Sequence, residues 1–232
     1  VKSCTGIINV QSSIFASLAG SGGSSGGLYA KGNLGTVNFY QCAGHVGGSG
    51  AGAAFYIDSN SGFPWYTQTP NNSINARNCI ALLTTSAAAQ GWRIGSGQTY
   101  SLDYNLTWLT SGAVSGGAVV GQMGTTTYSF RDWQYAGNEV HGFNADPLLT
   151  TSPPTTLAHW VPQASTPLKA VGTDLSASVP WDASRSPYSP AAPDIGPYRV
   201  SAWNGGLGCE SASATAVYAV IVRRSDRAPL ST

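Results

Sequence analysis

The residues able to do chemistry in this 232-residue chain are few and scattered. Its histidines are His45, His141 and His159, and its glutamates are Glu139 and Glu210. A Ser-His-Asp hydrolase needs one such histidine between an activated serine and a carboxylate. No G-x-S-x-G elbow occurs, and Gly95-Ser96-Gly97 sits in loop-like sequence without a strand-to-helix context. Glycoside hydrolysis needs two acids facing one cleft. The aspartates, among them Asp58, Asp103, Asp132, Asp146, Asp174 and Asp194, fall mostly in loops, where carboxylates usually cap turns. There is no D-x-D-x-D-G calcium loop, phosphate loop or dinucleotide fingerprint. The sequence therefore assigns no catalytic residue, no metal ligand and no cofactor, and reads as that of a non-enzyme.

Cys4, Cys42, Cys79 and Cys209 lack C-x-x-C spacing, which argues against zinc. Their number allows two disulfides in an oxidising compartment or four thiols in the cytosol. Two N-x-S/T triplets occur, Asn71-Asn72-Ser73 and Asn105-Leu106-Thr107, the second on the polar face of an expected strand. The one basic cluster is Arg223-Arg224 with Arg227. With a net charge of +1, it does not make a dedicated nucleic-acid binder.

Charged residues make up 9% of the chain, against about 25% in an ordinary soluble domain. Gly, Ser, Thr, Ala and Asn replace them, while hydrophobic residues reach 42%, enough for a core. Seven Trp and eleven Tyr must also be placed. Interfaces are poor in charge and rich in aromatics, so part of this surface is expected to face other chains. No stretch approaches the ~20 apolar residues of a membrane span. The Val1 start, with no visible signal peptide, reads as that of a processed product.

The elements expected to position these residues are short strands. Residues 1–35 are rich in Gly and Ser and read as an extended N-terminal arm. Val37–Cys42 and Ala53–Ile57 suit strands, and Ser73–Ala89 is the best helical candidate. Tyr100–Trp108 alternates apolar and polar residues throughout, the pattern of a strand with one buried face. Further strand pieces fall at Ala118–Val120, Thr127–Phe130, Thr156–Val161, Leu175–Trp181, Tyr198–Trp203 and Ala216–Val222. Ser111–Thr151 and Ser184–Pro197 read as long loops. No repeat of solenoid length is visible. About eight short strands with Gly/Pro turns indicate an all-β antiparallel sandwich or jelly roll.

Four segments, taken in order, resemble the picornavirus capsid subunit around the fivefold axis. They are Tyr100–Thr110, Thr156–Pro167, Ser176–Ser184 and Ala216–Pro229. Asn38-Phe39-Tyr40 leading to Gly47–Gly50 is similar to the kobuvirus and salivirus branch of that family. The likeness covers roughly residues 36–229 and departs from the family in a long stretch before the 156–161 segment and in a short C-terminal arm.

The resemblance implies an eight-stranded antiparallel jelly-roll domain over 36–229, preceded by the arm and followed by a tail at 230–232. It implies a structural protein of the icosahedral shell of a non-enveloped positive-strand RNA virus, cleaved from a polyprotein. Its expected partners are copies of itself around the fivefold axis, the other capsid proteins, a host receptor met by surface loops, and genomic RNA held without sequence specificity. Membrane contact is expected only during entry. The expected location is the virion, with assembly in host cytoplasm and free thiols. Relatives often hold an apolar, sometimes lipid-filled pocket; Tyr104, Leu106 and Trp108 are the candidates to line such a space here, the plainer and favoured reading being that they simply pack the core. The alternative reading is a secreted carbohydrate-binding or adhesive β-sandwich, and a third is a secreted hydrolase on a β-scaffold.

Overall fold

The computed structural model describes residues 7–17, 28–31, 35–48, 52–58, 73–85, 88–184 and 193–198. Its strands are β1 (Ile7–Gln11), β2 (Ile14–Ser17), β3 (Leu28–Lys31), β4 (Thr36–Tyr40), β5 (Ala43–Val46) and β6 (Ala53–Asp58). They continue as β7 (Ser73–Arg77), β8 (Ile80–Leu83), β9 (Gln90–Ile94), β10 (Thr99–Asp103), β11 (Leu106–Leu109), β12 (Val119–Met123) and β13 (Thr126–Tyr128). Two short helices, α1 (Ser111–Ser115) and α2 (Phe130–Tyr135), flank the last two strands.

Every third strand stacks on the one before it. The three sheets have the orders β1-β4-β7-β10, β11-β8-β5-β2 and β13-β12-β9-β6-β3. All pairings are parallel except β12 with β13. The chain therefore winds as a β-solenoid, each rung giving one strand to each sheet. The expectation of an all-β protein holds, but the described sheets are parallel where an antiparallel jelly roll was expected. The physical reason lies in the connections. A rung's strands are joined around corners rather than by hairpins, so each strand pairs with its counterpart one rung away.

The corner between the first and second sheets is the most regular. It has two residues in every rung, and the first adopts positive φ: Ser12, Gln41, Asn78 and Tyr104, at 44° to 57°. The second lies beneath the corner, with Cys42 and Cys79 fully buried and Asn105 nearly so. The other two corners vary in length, and rungs begin at the unequal positions Ile7, Thr36, Ser73 and Thr99. That inequality hides the repeat from the sequence.

Several expected elements differ accordingly. Residues 7–17 and 28–31, within the expected arm, supply the first rung. The expected helix at Ser73–Ala89 is instead β7 and β8, turning at Asn78-Cys79. Tyr100–Trp108 is two strands broken at Tyr104, so Tyr100 and Leu102 join the interior while Leu106 and Trp108 face outward. Thr156–Val161 holds a 3-10 turn at Leu157–Trp160, and Leu175–Trp181 forms turns without a strand. Of Tyr198–Trp203 only the turn residue Tyr198 is described, and Ala216–Val222 lies outside the described residues.

Inside the solenoid, side chains stack by type. Val10, Phe39, Ala76 and Leu102 form one column of the first sheet. In the third sheet Phe55 stacks on Trp92 with ring centroids 4.3 Å apart and planes 12° apart. At the next step of that column stands Gly121, where a Cβ would come within 2.6 Å of the Trp133 ring. Trp133, fully buried on α2, fills the place of the missing side chain and closes the end of the core.

The outer face of the second sheet is apolar rather than polar. Ala43, Ile80, Leu82 and Leu106 lie under Leu149, Trp160, Val161, Leu168 and Ile195 of the chain that follows the solenoid. This tail is tied to the rungs through Asn78, whose amide donates to the Thr173 carbonyl and accepts from the Thr173 amide.

Candidate functional site

A concavity lies at the closed end. A cleft of about 810 Å³ opens between the end of β11, α1, the start of β12, the β13–α2 junction and the tail near Asn144. Trp108, Tyr128 and Phe130 bring aromatic rings to it, and Val114, Asn144 and Asp146 complete the part that matters chemically. Each ring is set by local structure. Trp108 faces outward because the corner at Tyr104 reverses the alternation. Tyr128 is held edge-on against Trp133 at 5.3 Å. Phe130 opens α2, whose Ser129 hydroxyl accepts from the Asp132 amide at 3.2 Å and donates to its carboxylate at 2.6 Å.

Val114 is 58% exposed on α1, which Thr110 caps by accepting from the Ala113 amide. Asp146 accepts from the Leu148 amide at 2.9 Å and, among the described residues that line the cleft, is the one acidic side chain, with no Lys or Arg. The lining thus combines three partly buried aromatic side chains with hydroxyls, an amide and one carboxylate, a mixture of apolar and hydrogen-bonding groups.

A second cluster surrounds the first corner of the last rung. Glu139 is sealed from solvent, with carboxylate oxygens accepting from the Asn105 amide at 3.0 Å and the Asn105 side-chain amide at 2.7 Å. Burial pushes its carboxyl up to about 7, against the partial relief of the Asn105 bonds. Asn105 also donates to the Ala76 carbonyl and accepts from the Cys79 amide, so Glu139 extends the line of corner residues beyond the solenoid.

Just outside, the His141 ring donates from Nδ1 to Asp103 at 2.9 Å and stacks on Tyr104 at 4.6 Å. Asp103 also accepts from the His141 and Tyr104 amides. Partial burial raises the Asp103 carboxyl, but the bonds from His141 and Tyr104 outweigh it and leave the group below its usual value. These bonds tie the turn at His141 to the corner at Asp103-Tyr104.

The outer face of the first sheet is a polar ladder. Asn38 donates to Asn9 and Asn75 donates to Asn38, each at 2.8 Å. Beside it run Gln11, Tyr40, Arg77 and Asp103 in register. Arg77 is committed to the Ala76 and Ser101 carbonyls and the Ser101 hydroxyl. Burial raises the Tyr40 phenol, partly offset by Arg77.

The three residues expected to line one apolar pocket are therefore separated. Trp108 lines the cleft, Leu106 is fully buried under the tail, and Tyr104 stacks on His141 at the corner. His45 is also buried, bonded through Nε2 to the Thr84 hydroxyl and edge-on to Trp160, and burial lowers its ring to about 4. His159 accepts from the Thr155 amide. The triplet at Asn105 is not a glycan acceptor in the fold, because that side chain is buried and fully used. Asn71, Glu210, Cys4, Cys209 and the Arg223 cluster lie outside the described residues. No local pattern marks Tyr128, Phe130 and Asp146 as cleft residues, since they meet Trp108 only through the corner at Tyr104 and the start of α2. Comparison with protein-family models, curated proteins and solved structures found no match.

Proposed function

We propose that this protein is a non-catalytic β-solenoid that binds carbohydrate and serves in surface attachment outside the cell. The observation that carries this reading is the cleft lined by Trp108, Tyr128 and Phe130 together with Asn144, Asp146 and hydroxyl side chains. Aromatic faces pack on the C–H faces of sugar rings, while amide and carboxylate groups bond their hydroxyls. The buried acid, Glu139, is closed to substrate, which favours binding over turnover. The low charge suits a surface that meets neutral polymers.

A capsid subunit is the other reading, and the low charge is the observation in its favour. Of the four segments that carried that resemblance, the first is split between parallel strands, the next two fold as turns, and Ala216–Pro229 lies outside the described residues. The carbohydrate reading therefore stands first.

The test is affinity electrophoresis of the full chain in gels containing neutral and acidic polysaccharides. Native protein is expected to be retarded by at least one neutral polymer, and Trp108→Ala to lose about tenfold or more in affinity with unchanged circular dichroism. If no glycan retards the chain, while co-expression with other products of its polyprotein yields pentamers or shells, the capsid reading replaces this one.

A further inference from the structure

Two of the four cysteines occupy equivalent places one rung apart. Tyr40 pairs with Arg77 before the corner and Ala43 pairs with Ile80 after it, both in parallel register. Cys42 and Cys79 are thereby stacked between two fixed pairs. Neighbouring strands lie about 4.8 Å apart, and disulfides form across Cα separations of about 4.4–6.8 Å. Ser13 precedes this pair in the column and Asn105 follows it, so each thiol has one sulfur neighbour in the stack.

Both side chains are fully buried thiols. Cys42 donates to the Val10 and Tyr40 carbonyls at 3.3 and 3.4 Å, and Cys79 to the Phe39 and Arg77 carbonyls at 3.4 and 3.3 Å. A thiol is a weak donor, so little holds either sulfur in that rotamer. With the register setting the two Cα atoms one strand spacing apart, joining the sulfurs requires rotation about the Cα–Cβ bonds and a small approach of the two corners. Burial raises the Cys79 thiol well above its usual range, and contact with Cys42 adds to this.

We propose that Cys42 and Cys79 are joined by a disulfide that staples the second rung to the third when the chain folds in an oxidising compartment. The oxidant is a small or protein disulfide. One cysteine thiolate attacks it, releasing a thiol and forming a mixed disulfide. The second cysteine then displaces the remaining half as another thiol. The two protein thiols lose two electrons and two protons overall, and the external disulfide takes them up. Because both sulfurs are sealed in the folded state, the exchange takes place before the rungs close. The staple is independent of what the cleft binds.

The full chain is to be refolded with and without glutathione disulfide, trapped by alkylation under denaturing conditions and digested. The oxidised sample is expected to contain a peptide linking Cys42 to Cys79, lighter by about 2 Da than the two reduced peptides together. Its Tm should exceed that of the reduced protein by about 5–10 °C. The same link and shift are expected in a Cys4→Ser, Cys209→Ser variant, whereas Cys42→Ala, Cys79→Ala should be indifferent to reductant. Quantitative alkylation of both residues in the oxidised sample, or a link from either to Cys4 or Cys209, overturns the proposal.

Discussion

Glu139 and His45 are both shut away from water, and burial acts on them in opposite directions. The Glu139 carboxyl is pushed from 4.5 to about 7, so between those values the folded chain holds a proton that the unfolded chain has released. Its contribution to stability is full below about pH 4.5 and is lost as pH rises through 7. The His45 ring is lowered from 6.5 to about 4, so its contribution is present above 6.5 and is lost as pH falls through 4. Each slope is about 1.4 kcal/mol per pH unit, and the two cancel where they overlap.

Removing either group should expose the other. Glu139→Gln is expected to make stability rise with pH across the lower range, and His45→Gln to make it fall across the upper range. Urea midpoints measured from about pH 4 to 8 decide this, and slopes of the same sign in both variants would sink it. Residue identities were legible at this scale, whereas their surroundings were not. Glu139 could be named as one of two glutamates, but its meeting with Asn105 depends on a corner whose geometry no local pattern announces.

Among the elements, β12 and α2 fit closely. Gly121 leaves room for the Trp133 ring, and a Cβ there would meet three ring atoms at 2.6–2.8 Å. Gly121→Ala should therefore cost about 1–3 kcal/mol through overpacking. The penalty should shrink when Trp133 is also replaced by Leu, a coupling that a double-mutant cycle by chemical denaturation measures. Equal penalties in both backgrounds would show that the ring is not what the glycine accommodates.

The strands at Val37–Cys42 and Ala53–Ile57 were readable because their apolar residues alternate or run together as buried strands do. Tyr100–Trp108 was readable as β-structure but not as two strands, since an aromatic residue at positive φ is an uncommon corner. Ser73–Ala89 misled for a related reason. Its apolar run at Cys79–Leu83 looks helical unless Asn78 is taken as a turn residue.

For the whole molecule, the tail decides whether the solenoid can stand alone in water. Ile80, Leu82 and Leu106 face outward on the second sheet and stay dry only because Trp160, Leu168 and their neighbours cover them. A chain ending after Gly142 should expose that face, bind a hydrophobic dye and aggregate on warming, while the full chain does neither. Dye fluorescence and light scattering check the outcome, and a well-behaved truncated chain would mean that the tail is dispensable.

The constancy of one corner sets limits on how this chain can change. Two residues join the first and second strands in every rung, while the stretch from β6 to β7 is much longer than that from β9 to β10. A one-residue insertion at the fixed corner would slip the strand that follows it, exchanging that strand's interior and exterior side chains. The same insertion at either of the other corners would lengthen a loop and leave the stacking register untouched. New sequence, whether arising by drift or added by a protein engineer to display a peptide, is therefore confined to two edges of a three-edged rod.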